Sequence, residues 1–212
     1  MHNDISLREL KKARTKVAFY EATLSLIGDG MFRDVMLDDI CRKAEVSRVT
    51  FFKFFQRKED LLVYFMRVWL TERIIEIKAE CKRGFTAVRH ILHNVAEQSK
   101  ESPGLIPSLI SFLVEKHMHP CMPELSEAEV RLLFPGHEEL GAESPNMFAL
   151  FQQFMMEAKG DGKLRNDVTV EKAVKVLFTI FYGAFLTAQM YASSDIAGFY
   201  ETHLSLLEKD EE

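Results

Sequence analysis

Between Val46 and Leu62 the chain reads VSRVTFFKFFQRKEDLL, which sets Arg48, Lys53, Arg57 and Lys58 among four phenylalanines packed into five residues. Guanidinium and ammonium groups on an exposed helix face can donate to O6 and N7 of guanine, and hydroxyls and ammoniums near a helix start can hold backbone phosphates. Ser47 is a good N-cap for a short helix that begins at Arg48. So short a helix must be pinned, and Phe51 and Phe55, four apart, can both point inward. Arg48, Thr50, Phe52, Lys53 and Phe54 are then left for a partner. The competing reading puts all four rings in the core, but a surface helix cannot bury its whole circumference.

The preceding residues supply the elements that would position this helix. Val17, Tyr20, Leu24, Ile27 and Met31 fall at alternating steps of three and four, predicting an amphipathic helix over about Leu7 to Ile27 that ends at Gly28-Asp29-Gly30. Leu37, Ile40, Cys41 and Ala44 predict a second helix of about two turns. Two short helices joined by a tight turn form a helix-turn-helix, whose second helix enters the DNA major groove. After a break at Gln56–Lys58, Leu61, Leu62, Phe65, Val68 and Trp69 start a long helix that runs to about Lys82. Gly and Pro then punctuate the chain into helix-length pieces, and no period-2 run or hairpin signal is found, so the fold class is all-α.

Charge agrees with a polyanionic partner at one end. The net charge is −5, but residues 1–70 hold 13 Lys/Arg against 10 Asp/Glu, leaving 14 against 22 for the remainder. Lys11, Lys12, Arg14 and Lys16 are placed to reach neighbouring phosphates, or else form an ordinary solvated helix end. The three cysteines form no C-x-x-C pair, and the opening MHNDISLREL does not read as a secretory signal, so a reducing cytoplasm is expected.

Phe32, Leu37, Ile40, Ala44, Val46, Ser47, Thr50, Phe51, Phe52, Phe54, Phe55, Lys58, Glu59, Leu61 and Leu62 stand at the spacing of a known signature. In these positions the chain resembles the TetR (tetracycline-repressor) transcription regulators, closely over about residues 10–65 and elsewhere in general shape. The resemblance implies a homodimeric, usually repressing binder of double-stranded operator DNA, released by a small-molecule effector. It puts Thr50 and Lys58 on phosphates, Arg48, Lys53 and Phe54 near base edges or the groove wall, and Phe52 where tyrosine is usual. It implies a helix-turn-helix domain over 1–58 and a larger helical ligand-binding and dimerisation domain over 59–212. Met36 replaces the usual capping Thr or Ser, and Glu45 replaces the glycine of the turn.

Towards the C-terminus, Val174, Leu177, Phe178, Phe181 and Phe185 share one face with a small-residue patch at Gly183, Ala184 and Ala188. Ile196, Phe199, Tyr200, His203, Leu204 and Leu207 form a second apolar helix. Together they suggest a two-fold four-helix interface, with Val174, Leu177, Phe181, Ala184, Phe199, Tyr200, His203, Leu204 and Leu207 in the dimer contact; an intramolecular core is the alternative. Phe112, Met118, Phe148, Phe151, Met155 and Phe178 are adaptable enough to line a pocket for an apolar or amphipathic ligand, although such stripes also make ordinary core.

Three other chemistries leave partial signals or none in the chain. His117–Met122 (HMHPCM) offers soft metal ligands without a recognised spacing, and His90 and His93 could join it; neither a metal nor a cofactor is expected. Val176–Ser194 is uncharged over 19 residues but diluted by polar groups, so no membrane span is expected. No nucleophile-elbow, zincin, Walker or dinucleotide motif occurs, so no enzyme is expected. A helical protein-interaction or membrane-associated module without sequence-specific DNA binding is the rival reading.

Overall fold

Ser6 opens the first helix: its hydroxyl accepts the Glu9 amide at 3.2 Å while the Glu9 carboxylate accepts the Ser6 amide at 3.0 Å, a reciprocal cap for amides that no helical carbonyl reaches. Helix α1 runs Leu7–Ile27 and stops at Gly28, whose φ of 49° is left-handed. The computed structural model describes residues 5–116 and 121–209. After a short 3-10 turn at Phe32–Asp34 come α2 (Leu37–Lys43), α3 (Arg48–Phe51), α4 (Asp60–Ala79), α5 (Gly84–Glu101), α6 (Leu105–Lys116), α7 (Glu127–Leu133), α8 (Glu138–Ala142), α9 (Met147–Gly160), α10 (Val170–Thr179), a π turn at Ile180–Ala184, α11 (Phe185–Met190) and α12 (Ile196–Leu204). The protein is all-α; the extended pairing seen among the described residues is the isolated bridge of Leu164 with Glu208.

Two compact units result, residues 1–75 with 98–145 and residues 76–97 with 146–212. Packing therefore groups the segment 1–58 with residues 59–75 and 98–145.

In the first unit Phe19 of α1 meets Phe51 edge-on at 5.2 Å and Phe55 at 6.3 Å, and Phe55 in turn meets Tyr64 at 5.9 Å. Phe51 and Phe55 are buried as the spacing predicts, each ring contributing roughly 1.5–3 kcal/mol. The expected stripe of α1 is only part of its buried surface. Val17, Tyr20 and Leu24 are half-buried, while Phe19, Ala22 and Thr23 lie deeper. The reason is that α1 is covered by both α2 and α7, and a single amphipathic stripe describes one covering neighbour.

The turn before α6 is fixed by contact between backbones. The Gly104 amide donates to the Gly28 carbonyl at 3.2 Å, and a β-carbon on Gly104 would stand 1.6 Å from the Gly30 oxygen. Backbone cannot yield as a side chain does, so Gly104→Ala is expected to cost at least about 2–3 kcal/mol. Thermal unfolding checks this, since such a loss lowers the Tm by roughly 4–12 °C in a chain of this size. An unchanged melting curve would contradict the contact.

The second unit is held by polar ties at its helix ends. Glu157 of α9 accepts the Gly84 amide at 2.9 Å, capping α5. Arg89 of α5 donates to Glu201 of α12 at 2.9 Å and to both oxygens of Glu208, the first at 2.8 Å. These bonds hold α12 and the segment after it to α5. Within Val170–Met190, the one described helical stretch with the length and apolarity to cross a membrane, Ala173, Val174, Leu177, Ile180, Ala184, Phe185 and Ala188 are buried inside the unit.

Candidate nucleic-acid interface

The turn between α2 and α3 closes as two backbone hydrogen bonds, Glu45 N–H to the Arg42 carbonyl at 3.2 Å and Val46 N–H to the Cys41 carbonyl at 2.9 Å. This closure forces Glu45 to φ 56°, the left-handed region that glycine enters without cost. Glu45→Gly is therefore expected to stabilise the chain by roughly 0.5–1 kcal/mol, partly offset by the looser unfolded chain. Chemical denaturation measures it; a lower midpoint would refute it.

Ser47 then caps α3, accepting the Thr50 amide at 3.2 Å and sharing a hydrogen bond with the Thr50 hydroxyl at 3.0 Å. Regular α-helix covers only Arg48–Phe51, and bonds from the Phe54 and Phe55 amides to the Phe51 carbonyl continue the coil as turns. With Phe51 and Phe55 turned inward, Arg48, Val49, Phe52 and Lys53 are exposed, Thr50 and Phe54 half-exposed. Phe52 is 52% exposed, its ring edge resting 5.4 Å from Phe51. Val49, 71% exposed, also belongs to this outward face. Its place three residues before Phe52 and four before Lys53 was the available signal. Asp38 of α2 holds the Arg48 guanidinium at 3.3 Å, orienting it beside the turn.

Two expected phosphate ligands are engaged inside the protein. Lys16 pairs with Glu129 of α7 at 2.7 Å and lies 4.8 Å over the Tyr64 ring, while Tyr64 donates its hydroxyl to Glu129 at 2.9 Å. Burial alone would raise the Glu129 pKa; the Lys16 hydrogen bond and charge and the Ser126 cap outweigh it and hold the carboxyl below its usual range. Lys58 donates to the carbonyls of Phe32, Arg33 and Val35 at 3.0, 3.1 and 2.7 Å. The turn that delivers it is held by Asp60, which accepts the Gln56 and Arg57 amides at 2.9 and 3.0 Å. Both lysines face buried or convergent acceptors that local periodicity does not reveal.

The other expected sites divide by unit. Phe112 is buried in the first unit, and Met118 lies outside the described residues. In the second, Phe178 stacks on exposed Phe148 at 6.3 Å and meets Phe151 edge-on at 5.2 Å, while Phe151 and Met155 are wholly buried and serve as core. Of the soft-ligand segment, His117 and His119 also lie outside the described residues. His90 binds Glu76 at 2.7 Å and His93 binds Glu201 at 3.0 Å, and no metal-ligating group of three occurs among the described residues.

The residues expected at the dimer contact divide by burial within the chain. Val174, Leu177, Ala184, Tyr200, Leu204 and Leu207 are buried within their own chain, with Phe181, Phe199 and His203 half-buried. Tyr200 donates to the Phe181 carbonyl of the π turn at 3.1 Å, which marks it as a residue of the unit's interior. The most apolar faces of α10 and α12 are used for folding, and from residue 170 onwards the exposed large apolar side chains among the described residues are Val176, Leu186, Met190, Tyr191 and Leu206.

A short helix, a left-handed turn residue and a capped second helix with cations and an aromatic ring facing outward define a helix-turn-helix of the DNA-binding class. The family described as "Bacterial regulatory proteins, tetR family" matches residues 19–65, so this segment carries the tetR-family DNA-binding domain. Solved structures with similar folds extend the likeness across the chain. The reduced form of NemR from E. coli is 18% identical, covering 93% of this chain and 100% of its own with a TM-score of 0.60. Thermus thermophilus FadR, a TetR-family repressor solved with lauroyl-CoA, is 20% identical over 90% of this chain and 92% of its own, at 0.56. A TetR-family regulator from Marinobacter aquaeolei is 18% identical over 96% and 100%, at 0.57. No curated protein sequence matches.

Proposed function

We propose that this chain is a ligand-responsive transcription regulator of the cytoplasm that binds a palindromic operator as a homodimer and represses until a small apolar or amphipathic effector releases it. Residues 1–58 read DNA in this proposal, and residues 59–212 bind the effector and the second copy. The observation that carries it is the outward face of α3, where Arg48, Lys53 and Phe52 are exposed while Phe51 and Phe55 anchor the opposite side. Arg48 and Lys53 suit guanine edges, Phe52 and Phe54 suit thymine methyls, and Thr50 with Ser47 sits at the phosphate-facing helix start. An amphipathic effector accords with the aromatic cluster of Phe148, Phe151 and Phe178 and with the lauroyl-CoA held by the Thermus FadR.

Dimerisation follows from the reader's size. One helix this short contacts few base pairs, and a symmetric pair roughly 34–36 Å apart reads two half-sites. An effector acts by favouring a dimer whose spacing no longer fits the operator. Selection from a random duplex library at about 150 mM salt, where weak non-specific attraction is screened, tests the reading. Enrichment of a two-fold symmetric site supports it. Failure of a folded dimer to enrich any site would favour a protein-interaction module instead.

A further inference from the structure

We propose that Lys58 is an internal positioning residue of the helix-turn-helix: its ammonium, gripped by the carbonyls of Phe32, Arg33 and Val35, holds the chain that enters α2, a helix whose first turn receives no side-chain cap from Met36. An ammonium has three donors, and the three carbonyls at 3.0, 3.1 and 2.7 Å occupy them all. The Phe32 ring lies 4.6 Å from the same nitrogen, adding a cation–π contact to the carbonyl bonds. On its other side Phe32 is fixed by its amide, which donates to the Ser108 hydroxyl at 2.8 Å. Residues 32–35 are thus clamped between α6 and the turn before α4.

The clamp matters because α2 begins poorly. Met36 has the extended backbone of an N-cap, φ −79° and ψ 139°, but makes no side-chain cap bond. Asp38 and Asp39 in the first turn favour the helix dipole without fixing where the chain enters. Lys58 fixes that entry through the carbonyls just upstream, and so sets the orientation of α2, the turn and α3 together. Burial draws its pKa below the usual lysine value against the opposing influence of Glu59 and Asp34, in keeping with an ammonium partly withdrawn from solvent. Reaching a phosphate would require it to abandon at least one of the three carbonyls.

The inference rests on the DNA-binding reading, and its test separates the two. Operator affinity is measured across salt concentrations for the wild type, Lys58→Met, Lys58→Arg and Lys53→Ala, with a melting curve for each. Lys58→Met and Lys58→Arg are both expected to melt several degrees lower and, while still folded, to bind about tenfold more weakly with an unchanged salt slope, since hydrogen bonds to a charged group have been lost. Arginine keeps the charge but its planar fork does not fit three carbonyls converging on one point. The proposal is overturned if Lys58→Arg binds like the wild type, or if Lys58→Met melts normally and its slope falls by about 0.9, the mark of a lost phosphate contact. Should the variants fail to fold, the wild-type Lys58 ammonium nitrogen resonance decides: it is expected not to move when duplex is added, and a shift with coupling to phosphorus overturns the idea. A wild type that binds no duplex removes the DNA-binding reading instead, and the melting curves then still show whether the ammonium clamps residues 32–35.

Discussion

Replacing Glu129 by leucine is expected to destabilise the chain by about 3 kcal/mol, because it strands the largely buried Lys16 ammonium and leaves the Tyr64 hydroxyl without its acceptor. The Glu129 carboxylate joins α1 to α7 and caps its own helix through Ser126, whose amide and hydroxyl donate to it at 3.0 and 2.7 Å. Arg67, buried in the same unit, donates to the Thr71 hydroxyl and to the Gly141 carbonyl at 2.7 Å, and Glu129 is one of the charges that stabilise it. The loss should lower the Tm by roughly 6–12 °C. The double variant Lys16→Met with Glu129→Leu should recover much of it, since a buried pair replaced by apolar groups loses its desolvation cost together with its attraction. A double variant no more stable than Glu129→Leu alone would show that the pair is not the tie between α1 and α7.

The same carboxylate predicts an acid limit. Its folded pKa lies below the ordinary 4.5, so its stabilisation is present above that pH and is lost as pH falls through the depressed folded value. The wild type should lose stability on acidification more steeply than Glu129→Gln, which has no such charge to lose. Parallel pH–stability curves would contradict this.

Leu186→Arg is the second large effect. Leu186 is exposed on the stretch that also exposes Val176 and Met190. If this is the face that meets a second copy, a guanidinium there should convert the dimer to monomer at micromolar concentration. Operator affinity should then fall by about 100-fold or more through loss of the linked second half-site, while the Tm of the separate chain changes little. Sedimentation equilibrium with an operator titration reads both quantities. Leu177→Ala provides the contrast: Leu177 is buried within its own unit, so the expected cost is about 2–5 kcal/mol of folding stability. A Leu186→Arg protein that stays dimeric with full affinity would move the interface elsewhere.

Much of the helix-turn-helix was readable because its determinants are local. Ser47 caps within its own turn, Phe51 and Phe55 share a helix face by their spacing, and Glu45 stands where chain direction requires a left-handed residue. The outward placement of Arg48, Phe52 and Lys53 follows once the two inward rings are known. The all-α class was equally accessible, since helix-period stripes and Gly/Pro breaks repeat along most of the chain.

Tertiary structure decided what distant groups do with those residues. Lys16 and Lys58 look like surface cations from their neighbours in the chain, and only folding brings Glu129 to one and the carbonyls of residues 32–35 to the other. Periodicity likewise found the apolar faces around Val174, Leu177, Tyr200 and Leu204, but could not say whether their cover came from the same chain or another copy. The π turn at Ile180–Ala184 also changes the register, because one added residue turns everything after it by about 100° relative to a uniform α-helix. Amino-acid order by itself determined which side chains face outward from α3 and which apolar faces had to be buried; the partner of each was settled by long-range packing, since desolvation and hydrogen-bond geometry depend on groups that meet only in the folded chain.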